Sequence, residues 1–339
     1  MIFIVAYNVN SGGGLVLLKE LLTGLPNNKE FVLYADSRVN IKFASNINVK
    51  KVSPSLISRF KAELEICSNS REKDFVFCFG NFPPLFNLKA FVTVFFQNRI
   101  LVDNTNIGNF KFKKFLRLFF ERIIFKFIAM HADEYIVQSE SMRDLLIENI
   151  KNIPVRISPF TNNFNFSTRK THHKQNVNKF VFVYPASLDP HKNHINLVMA
   201  WKILSDKKLK PKLLLTANKA LFLKEFSELT GLISMLNISF VGHVSHEILS
   251  KIYSESDCLI YPSISESYGL PLVECNLNNM PIIASELDFV RDVCNPVETF
   301  NPNSSRSIAA AVARFLGRQD RLATPLTGKS FMSQYLKRK

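Results

Sequence analysis

Two carboxylates eight residues apart, Glu266 and Glu274, bracket the run Glu-Ser-Tyr-Gly-Leu-Pro-Leu-Val-Glu. The preceding Asp257-Cys-Leu-Ile-Tyr-Pro-Ser-Ile reads as a buried strand, and Pro271, which has no N–H to lose in a first turn, reads as the start of a helix. The pair then straddles a strand end, a glycine turn and a helix start, with Glu274 in the helix's first turn. Gly269 lets backbone come close to a ligand. The helix start turns unpaired N–H groups from about Tyr268 to Val273, and the positive end of the helix dipole, toward the same place. That setting suits phosphate oxygens, while a carboxylate on either side accepts paired hydrogen bonds from vicinal hydroxyls. The chemistry is that of a nucleotide-sugar diphosphate, with Glu274 on a ribose diol and Glu266 on the sugar. Read as structure alone, the same residues are a helix-start glutamate and an exposed loop glutamate.

A cation lies upstream in a similar setting. Phe182-Val-Tyr-Pro-Ala-Ser-Leu-Asp-Pro-His-Lys-Asn-His194 reads as a strand, a proline-bearing loop and the cap of a helix that carries Leu197, Trp201 and Leu204. Lys192 at the end of that loop can offset the charge that grows on a diphosphate as a glycosidic bond breaks, an electrostatic role without proton transfer. The plainer reading is a solvated loop lysine. Near the N-terminus, Gly12-Gly13-Gly14 can bring bare backbone amides against a diphosphate or an acceptor. It lacks both the lysine of a Walker loop and the G-x-G-x-x-G spacing of dinucleotide folds, and a plain turn fits equally. No Asp-x-Asp pair and no His, Cys and Asp cluster at ligand spacing occurs, so a bound metal ion is not expected. His191 and His194 read as surface and capping residues rather than ligands.

The elements that must hold these groups are those of α/β domains. Ile2 to Tyr7, Glu30 to Tyr34, Asp74 to Phe79, Ala90 to Phe96 and Glu134 to Gln138 are short apolar runs bounded by Gly, Pro or Asn, as parallel strands are. A helix with Leu15, Leu18, Leu21 and Leu22 follows the glycine loop, and Ser139-Glu140 caps another. The polar segment from about 157 to 178 is the best linker. Beyond it Phe180 to Tyr184, Lys212 to Thr216, Ile238 to Val241, Cys258 to Tyr261 and Pro281 to Ala284 repeat the rhythm. With 339 residues, of which 47% are hydrophobic, the chain suits two doubly wound parallel-sheet domains in tandem, over 1–165 and 166–323. Ligands of such sheets bind beyond the carboxyl ends of the strands, so Gly12–Gly14 and Glu266–Glu274 belong at one cleft between the domains.

Five cysteines without a C-x-x-C pair, Cys67, Cys78, Cys258, Cys275 and Cys294, read as reduced core residues of a reducing compartment. The first apolar run is too short for a signal peptide, and no stretch approaches about eighteen uncharged apolar residues. A formal charge of +15 and 31 phenylalanines need their own explanation, and much of both lies in 110–128. There Phe112, Phe115, Leu116, Phe119, Phe120, Ile123, Ile124 and Phe127 follow one helical face, and Lys111, Lys113, Lys114, Arg117, Arg122 and Lys126 populate the others. The pattern fits an interfacial helix on anionic lipid, and equally a core helix with a basic back. Nucleic acid is not expected as a partner: no recognised module is present, and the aromatics keep helical rather than stacking-platform spacing.

Taken together, His191-Lys192-Asn193, the Glu266-x7-Glu274 element with its Tyr-Gly-Leu-Pro centre, the Gly-Gly-Gly loop and Ala132-Asp-Glu-Tyr-Ile-Val-Gln-Ser-Glu140 resemble the retaining glycosyltransferases of family 4, in the same order from Ile2 to about Phe315. The resemblance implies a GT-B fold, two Rossmann-like domains facing a central cleft. A sugar nucleotide would be held mainly by the C-terminal domain and an acceptor by the N-terminal domain, with transfer retaining anomeric configuration. It implies Glu266 for donor-sugar hydroxyls, the backbone of Ser267, Tyr268, Gly269 and Leu270 for diphosphate and sugar, Glu274 for ribose, Lys192 for the diphosphate, and the backbone at His243 and Val244 for the base. Two departures matter. Where many members have Gly-Arg before the lysine loop this chain has Ala186-Ser187, so one phosphate cation is missing and Ser187 offers only a hydroxyl. Where members often carry a histidine after a middle strand, this chain has Gln97-Asn98-Arg99. Gln97 or Asn98 would take the polar contact near the reacting sugar, and Arg99 would supply charge. The short basic tail, 324–339, is expected to return to the first domain, as in related folds.

The expectation is a metal-independent, retaining hexosyltransferase without a cofactor. It would move a hexose-type sugar from a UDP- or GDP-linked donor to a glycan acceptor on a lipid carrier, in synthesis of a surface polysaccharide such as O-antigen, lipopolysaccharide or capsule. Its place would be cytoplasmic, peripheral on the inner face of the plasma membrane, held there through 110–128. The competing readings are a non-catalytic two-domain binding protein, favoured by the missing arginine, and another GT-B enzyme such as a nucleotide-sugar epimerase.

Overall fold

Runs of β-branched and aromatic residues set the sheets, and the serine, glycine and proline positions between them set where helices begin. The computed structural model describes residues 1–40, 45–103, 108, 110–150, 152–161, 164, 166 and 176–318. Among the described residues, two parallel sheets stand in tandem. The first holds β1 (Ile2–Ala6), β2 (Phe31–Asp36), β3 (Ile47–Val52), β4 (Phe75–Cys78), β5 (Phe91–Phe95), β6 (Glu134–Val137) and β7 (Val155–Ile157), in the order β3-β2-β1-β4-β5-β6-β7. Its connections carry α1 (Gly12–Thr23), α2 (Leu56–Asn69), α3 (Phe112–Ile128) and α4 (Glu140–Asn149). The second sheet holds β8 (Val181–Tyr184), β9 (Lys212–Leu215), β10 (Ile238–Phe240), β11 (Cys258–Tyr261), β12 (Ile282–Ser285) and β13 (Glu298–Phe300), in the order β10-β9-β8-β11-β12-β13. With it go α5 (His194–Asp206), α6 (Lys219–Glu225), α7 (Thr230–Ile233), α8 (His246–Glu255), α9 (Leu270–Leu277), α10 (Asp288–Arg291) and α11 (Ser305–Phe315).

Both sheets are doubly wound, as expected. The strand order reverses between β1 and β4 in the first and between β8 and β11 in the second, and each reversal opens a crevice at the carboxyl ends. Successive β1 side chains feed opposite faces: Phe3 and Val5 join a core with Ile66, Val76 and Phe125, whereas Ile4 and Ala6 join one with Leu17, Leu18 and Leu33. Cover on both faces is what a parallel sheet requires. The second domain packs round Trp201, whose ring meets Phe182 edge-on at 5.5 Å between centroids and whose Nε1 donates to the Pro211 carbonyl at 3.0 Å.

Three strands are absent from the sequence reading, and all three are edge strands. β3 carries Lys50 and Lys51, β7 carries Arg156 and β13 carries Glu298, charges that protect an open edge and erase the apolar run by which inner strands are recognised. The triple glycine is also not a loop. Ser11 is the N-cap, and Gly12 to Gly14 form the first turn of α1. Of the cysteines, Cys78, Cys258, Cys275 and Cys294 are buried and unpaired, while Cys67 is exposed. Most of the linker expected over 157–178 and all of the tail 324–339 lie outside the described residues. Among those that are described, no helix is long and apolar enough to cross a membrane.

Candidate active site

The loops that follow β8 and β11 leave the second sheet at its reversal point and hold each other. After β8, Pro190 to Lys192 make one 3-10 turn and Asn193 adopts left-handed backbone at φ 59. Asparagine tolerates that region, and its Nδ2 donates to the carbonyls of Pro262 at 3.0 Å and Pro302 at 2.7 Å. The Ile264 N–H donates to the His191 carbonyl at 2.9 Å, and the Tyr184 hydroxyl to the Lys192 carbonyl at 2.8 Å. This stitching brings together two side chains 74 residues apart: Lys192 Nζ lies 2.5 Å from Glu266 Oε1. The Tyr261 hydroxyl donates to the same oxygen at 3.0 Å. Burial works against the Glu266 charge, but the Lys192 ammonium, helped by His191, holds the carboxyl below its ordinary value.

Further along, Gly269 caps α9 at φ 77, and a Cβ there would sit 3.0 Å from Leu272 Cδ1, so glycine is required. The helix starts at Leu270, not at Pro271, and this changes two expectations. The amides of Leu272 and Val273 donate to the Gly269 carbonyl at 2.8 and 3.3 Å and Pro271 has none, so the candidate donors run only from Ser267 to Leu270. Glu274 falls in the second turn rather than the first and is 3% exposed, with the Tyr253 hydroxyl donating to Oε2 at 3.2 Å. Burial pushes its carboxyl up to about 7, against the pull of that hydrogen bond. Ser187 donates from Oγ to Asp189 Oδ2 at 3.0 Å. His194 is neither surface nor cap. It is buried against Tyr184, Phe222 and Phe226, with Nε2 2.8 Å from the Ser187 carbonyl, and burial holds its imidazole down at about 4.

Facing these loops, the chain leaves β5 of the first sheet through Gln97, Asn98 and Arg99. With Ile100, His191, Ser265, Glu266 and Ser267 they line a cavity of about 90 Å³. The Gln97 N–H donates to Asn81 Oδ1 at 2.5 Å. Arg99 Nε lies 3.3 Å from Asp103 Oδ2, an oxygen that also accepts from Ser265 Oγ at 3.4 Å. A Cβ on Gly13 would come 2.9 Å from Leu270 Cδ1, and Leu270 packs on the first domain's core. The start of α1 and the start of α9 therefore touch, and the glycine at 13 makes that approach possible. Gly12, at φ 65, and Gly14 flank this contact, with a Cβ on Gly14 coming 3.9 Å from Gln97 Oε1.

Thus Gln97, Asn98, Arg99, Glu266 and Ser267 share one cavity, with Lys192 joined to it through Glu266. Ser187, Glu274, His243 and Val244 do not line it. Among the described residues no cluster of three or more His, Cys, Asp or Glu side chains could hold a metal ion. Two ion pairs that close the cleft were invisible in the sequence: Lys114 of α3 meets Asp189 beside Ser187, and Lys111 meets Glu225 of α6. Their partners lie 75 and 114 residues away, and no local spacing signals such a contact.

α3 itself divides differently from either expectation. Leu118, Phe125 and Ile128 reach the core, and Phe115 and Leu116 are partly covered. Phe112, Phe119, Phe120, Ile123, Ile124 and Phe127 are exposed, Phe127 by 79%. Beside it α2 exposes Leu56, Ile57, Phe60 and Leu64 along one stripe. Against the burial that raises both carboxyls, the charge of Arg59 in α2 pulls down Glu121 of α3, and that of His131, just beyond α3, pulls down Glu63 of α2.

Two doubly wound parallel sheets with a cavity between their carboxyl ends make a GT-B fold, and residues 166–324 match the family model of glycosyl transferases group 1. The chain is 24% identical over 200 residues to the O-antigen chain mannosyltransferase RfbU of Salmonella typhimurium, a match that covers 58% of this chain and 55% of the relative, about half its length. Sucrose-phosphate synthase from Thermosynechococcus elongatus superposes with a TM-score of 0.72 at 16% identity, over 93% of this chain and 89% of the other. Anabaena Alr3699/HepE in complex with UDP-glucose gives 0.64 at 15% identity, over 92% and 88%.

Proposed function

We propose that this chain is a retaining, metal-independent glycosyltransferase of family 4 that moves a hexose from a UDP- or GDP-linked donor to a lipid-linked glycan, in synthesis of a surface polysaccharide. The observation that carries the reading is the Lys192–Glu266 pair at the reversal point of a glycosyl transferases group 1 domain, facing the polar Gln97–Arg99 wall. Donor binding exchanges partners. The diphosphate takes the Lys192 ammonium, the sugar hydroxyls take the Glu266 carboxylate, and the amides from Ser267 to Leu270 meet phosphate and sugar. Lys192 then offsets the charge that builds on the leaving diphosphate, without moving a proton. Glu274 accepts from the ribose diol once ionised, the backbone at His243 and Val244 meets the base, and Gly12 to Gly14 with Gln97 and Asn98 face the acceptor.

The printed activity of RfbU, O-antigen chain mannosyl transfer, supports a bacterial surface glycan as product, and UDP-glucose in HepE supports a nucleotide sugar as donor. The outward apolar faces of α2 and α3, with the exposed cations Lys113, Arg117 and Lys126, support peripheral attachment to the anionic inner face of the plasma membrane. The test is nucleotide release and glycolipid formation with a panel of UDP- and GDP-hexoses, a mannosyl donor first, on lipid-linked acceptors. Turnover is expected to fall roughly 100-fold or more in Lys192→Ala and in Glu266→Ala. Full turnover in both would remove the site assignment, and nucleotide binding without any product would make the chain a binding protein.

A further inference from the structure

The donor side of the cleft is short of positive charge. Its two loops, 185–193 and 262–270, hold Asp189, Lys192 and Glu266, one cation against two carboxylates, and burial keeps His191 below its ordinary value. Lys114 answers Asp189 from across the cleft, and Lys192 answers Glu266. Once Glu266 turns to the sugar, Lys192 alone in those two loops meets a group carrying about two negative charges, one cation short. The opposite wall supplies one. Arg99 lines the same cavity as Glu266 and Ser267, and its Nη1 is buried without a hydrogen-bond partner. A buried guanidinium N–H left unpaired is unfavourable, and an incoming oxyanion would recover that cost. Asp103 fixes the other edge of that guanidinium through Nε, and is itself tied to Ser265 of the donor domain and, at 3.8 Å, to Arg122 of α3.

We propose that Arg99, from the N-terminal domain, is the second phosphate cation of the site: it reaches across the cleft to the donor diphosphate and replaces the charge absent at Ser187, with Asp103 as its positioning residue. This rests on the nucleotide-sugar reading above. The guanidinium fork matches two phosphate oxygens, so the contact belongs to the diphosphate and not to the nucleoside. It also means that the donor is gripped fully only while the two domains are together.

The test is calorimetry of the full chain with UDP, GDP, UMP and GMP. Arg99→Ala is expected to weaken the diphosphate of the preferred base by about tenfold or more and the monophosphate by less than about twofold. Arg99→Lys, which keeps the charge but loses the fork, is expected to fall between and serves if the alanine variant does not fold. Ser187→Arg placed in the Arg99→Ala background is expected to restore the diphosphate. Asp103→Asn should weaken the diphosphate about threefold in wild type and not further in Arg99→Ala, the signature of action through Arg99. Equal losses on mono- and diphosphate, no loss at all, or a loss confined to acceptor KM would each overturn the proposal. Wild-type protein that binds neither UDP nor GDP would overturn the nucleotide-sugar reading along with it, whereas tight binding indifferent to Arg99 would remove the arginine alone.

Discussion

α5 and α3 are both long apolar helices, and they treat their side chains in opposite ways. α5 has 13 residues and buries six of them, His194, Leu197, Val198, Ala200, Trp201 and Leu204. α3 has 17 residues and buries three, leaving six large apolar side chains in the open. α5 is committed to holding the loop that ends in Lys192 at its N-terminus. α3 is attached mainly through Leu118, Phe125 and Ile128, and most of its other apolar side chains face outward. Phenylalanine count alone therefore says little about core size in this protein. The exposed apolar residues of the C-terminal domain, such as Leu221, Met235 and Leu277, are scattered singly, as isolated surface residues are, whereas those of α2 and α3 run in stripes along each helix.

The contrast can be pressed hardest at Trp201. Trp201→Ala should lower unfolding free energy by about 3–5 kcal/mol in chemical denaturation, through lost packing on Phe182 and an orphaned Pro211 carbonyl. A loss below about 1 kcal/mol would mean that α5 is no more committed to the core than α3. The buried imidazole at the start of α5 gives a pH signature. Its folded value, about 4, lies below the ordinary 6.5, so its contribution is complete above pH 6.5 and is lost as pH falls toward 4. The expected decline is on the order of 3 kcal/mol across that window, and His194→Gln should flatten it.

On α3 the same kind of change should do the reverse. Phe120→Ser with Phe127→Ser should leave the melting transition almost in place, yet reduce binding to vesicles rich in phosphatidylglycerol by roughly 10–100-fold. Wild-type binding should weaken as salt rises. A variant that melts early while still binding would turn the comparison round and make α3 a core helix. The smallest effect concerns Glu274. Its carboxyl, pushed up to about 7, is neutral below that pH and charged above it, so donor affinity should improve several-fold as pH rises through 7, and Glu274→Gln should abolish the trend. The folded protein gives up some stability over the same rise, because a raised carboxyl value favours the protonated folded state.

Much of this architecture was legible because inner parallel strands are continuous apolar runs, and β1, β4, β5, β8 and β11 all are. Of the edge strands only β10 was, since in β3, β7 and β13 the charges of Lys50, Lys51, Arg156 and Glu298 break the pattern. Glycine is a poor helix former, so the run at 12–14 read as loop although Ser11 caps it and close approach to Leu270 requires it. At the site, residue types were readable and distances were not. Glu274 read as an open ribose ligand because its burial depends on Tyr253, which lies on another helix. Arg99 offered no local signal of an unpaired edge.

The Lys192–Glu266 contact also bears on how a cycle ends. Once the sugar has left, a spent nucleoside diphosphate would still hold Lys192 while nothing replaced the hydroxyls in front of Glu266. That carboxylate owes its ionisation to the lysine, and would stand uncompensated next to phosphate. The empty site would relieve the repulsion by re-forming the ion pair, so on the proposed function release of the by-product would be helped by the same two side chains that meet the donor. On the same reading, a nucleoside diphosphate would therefore still bind, but more weakly than the sugar-bearing donor.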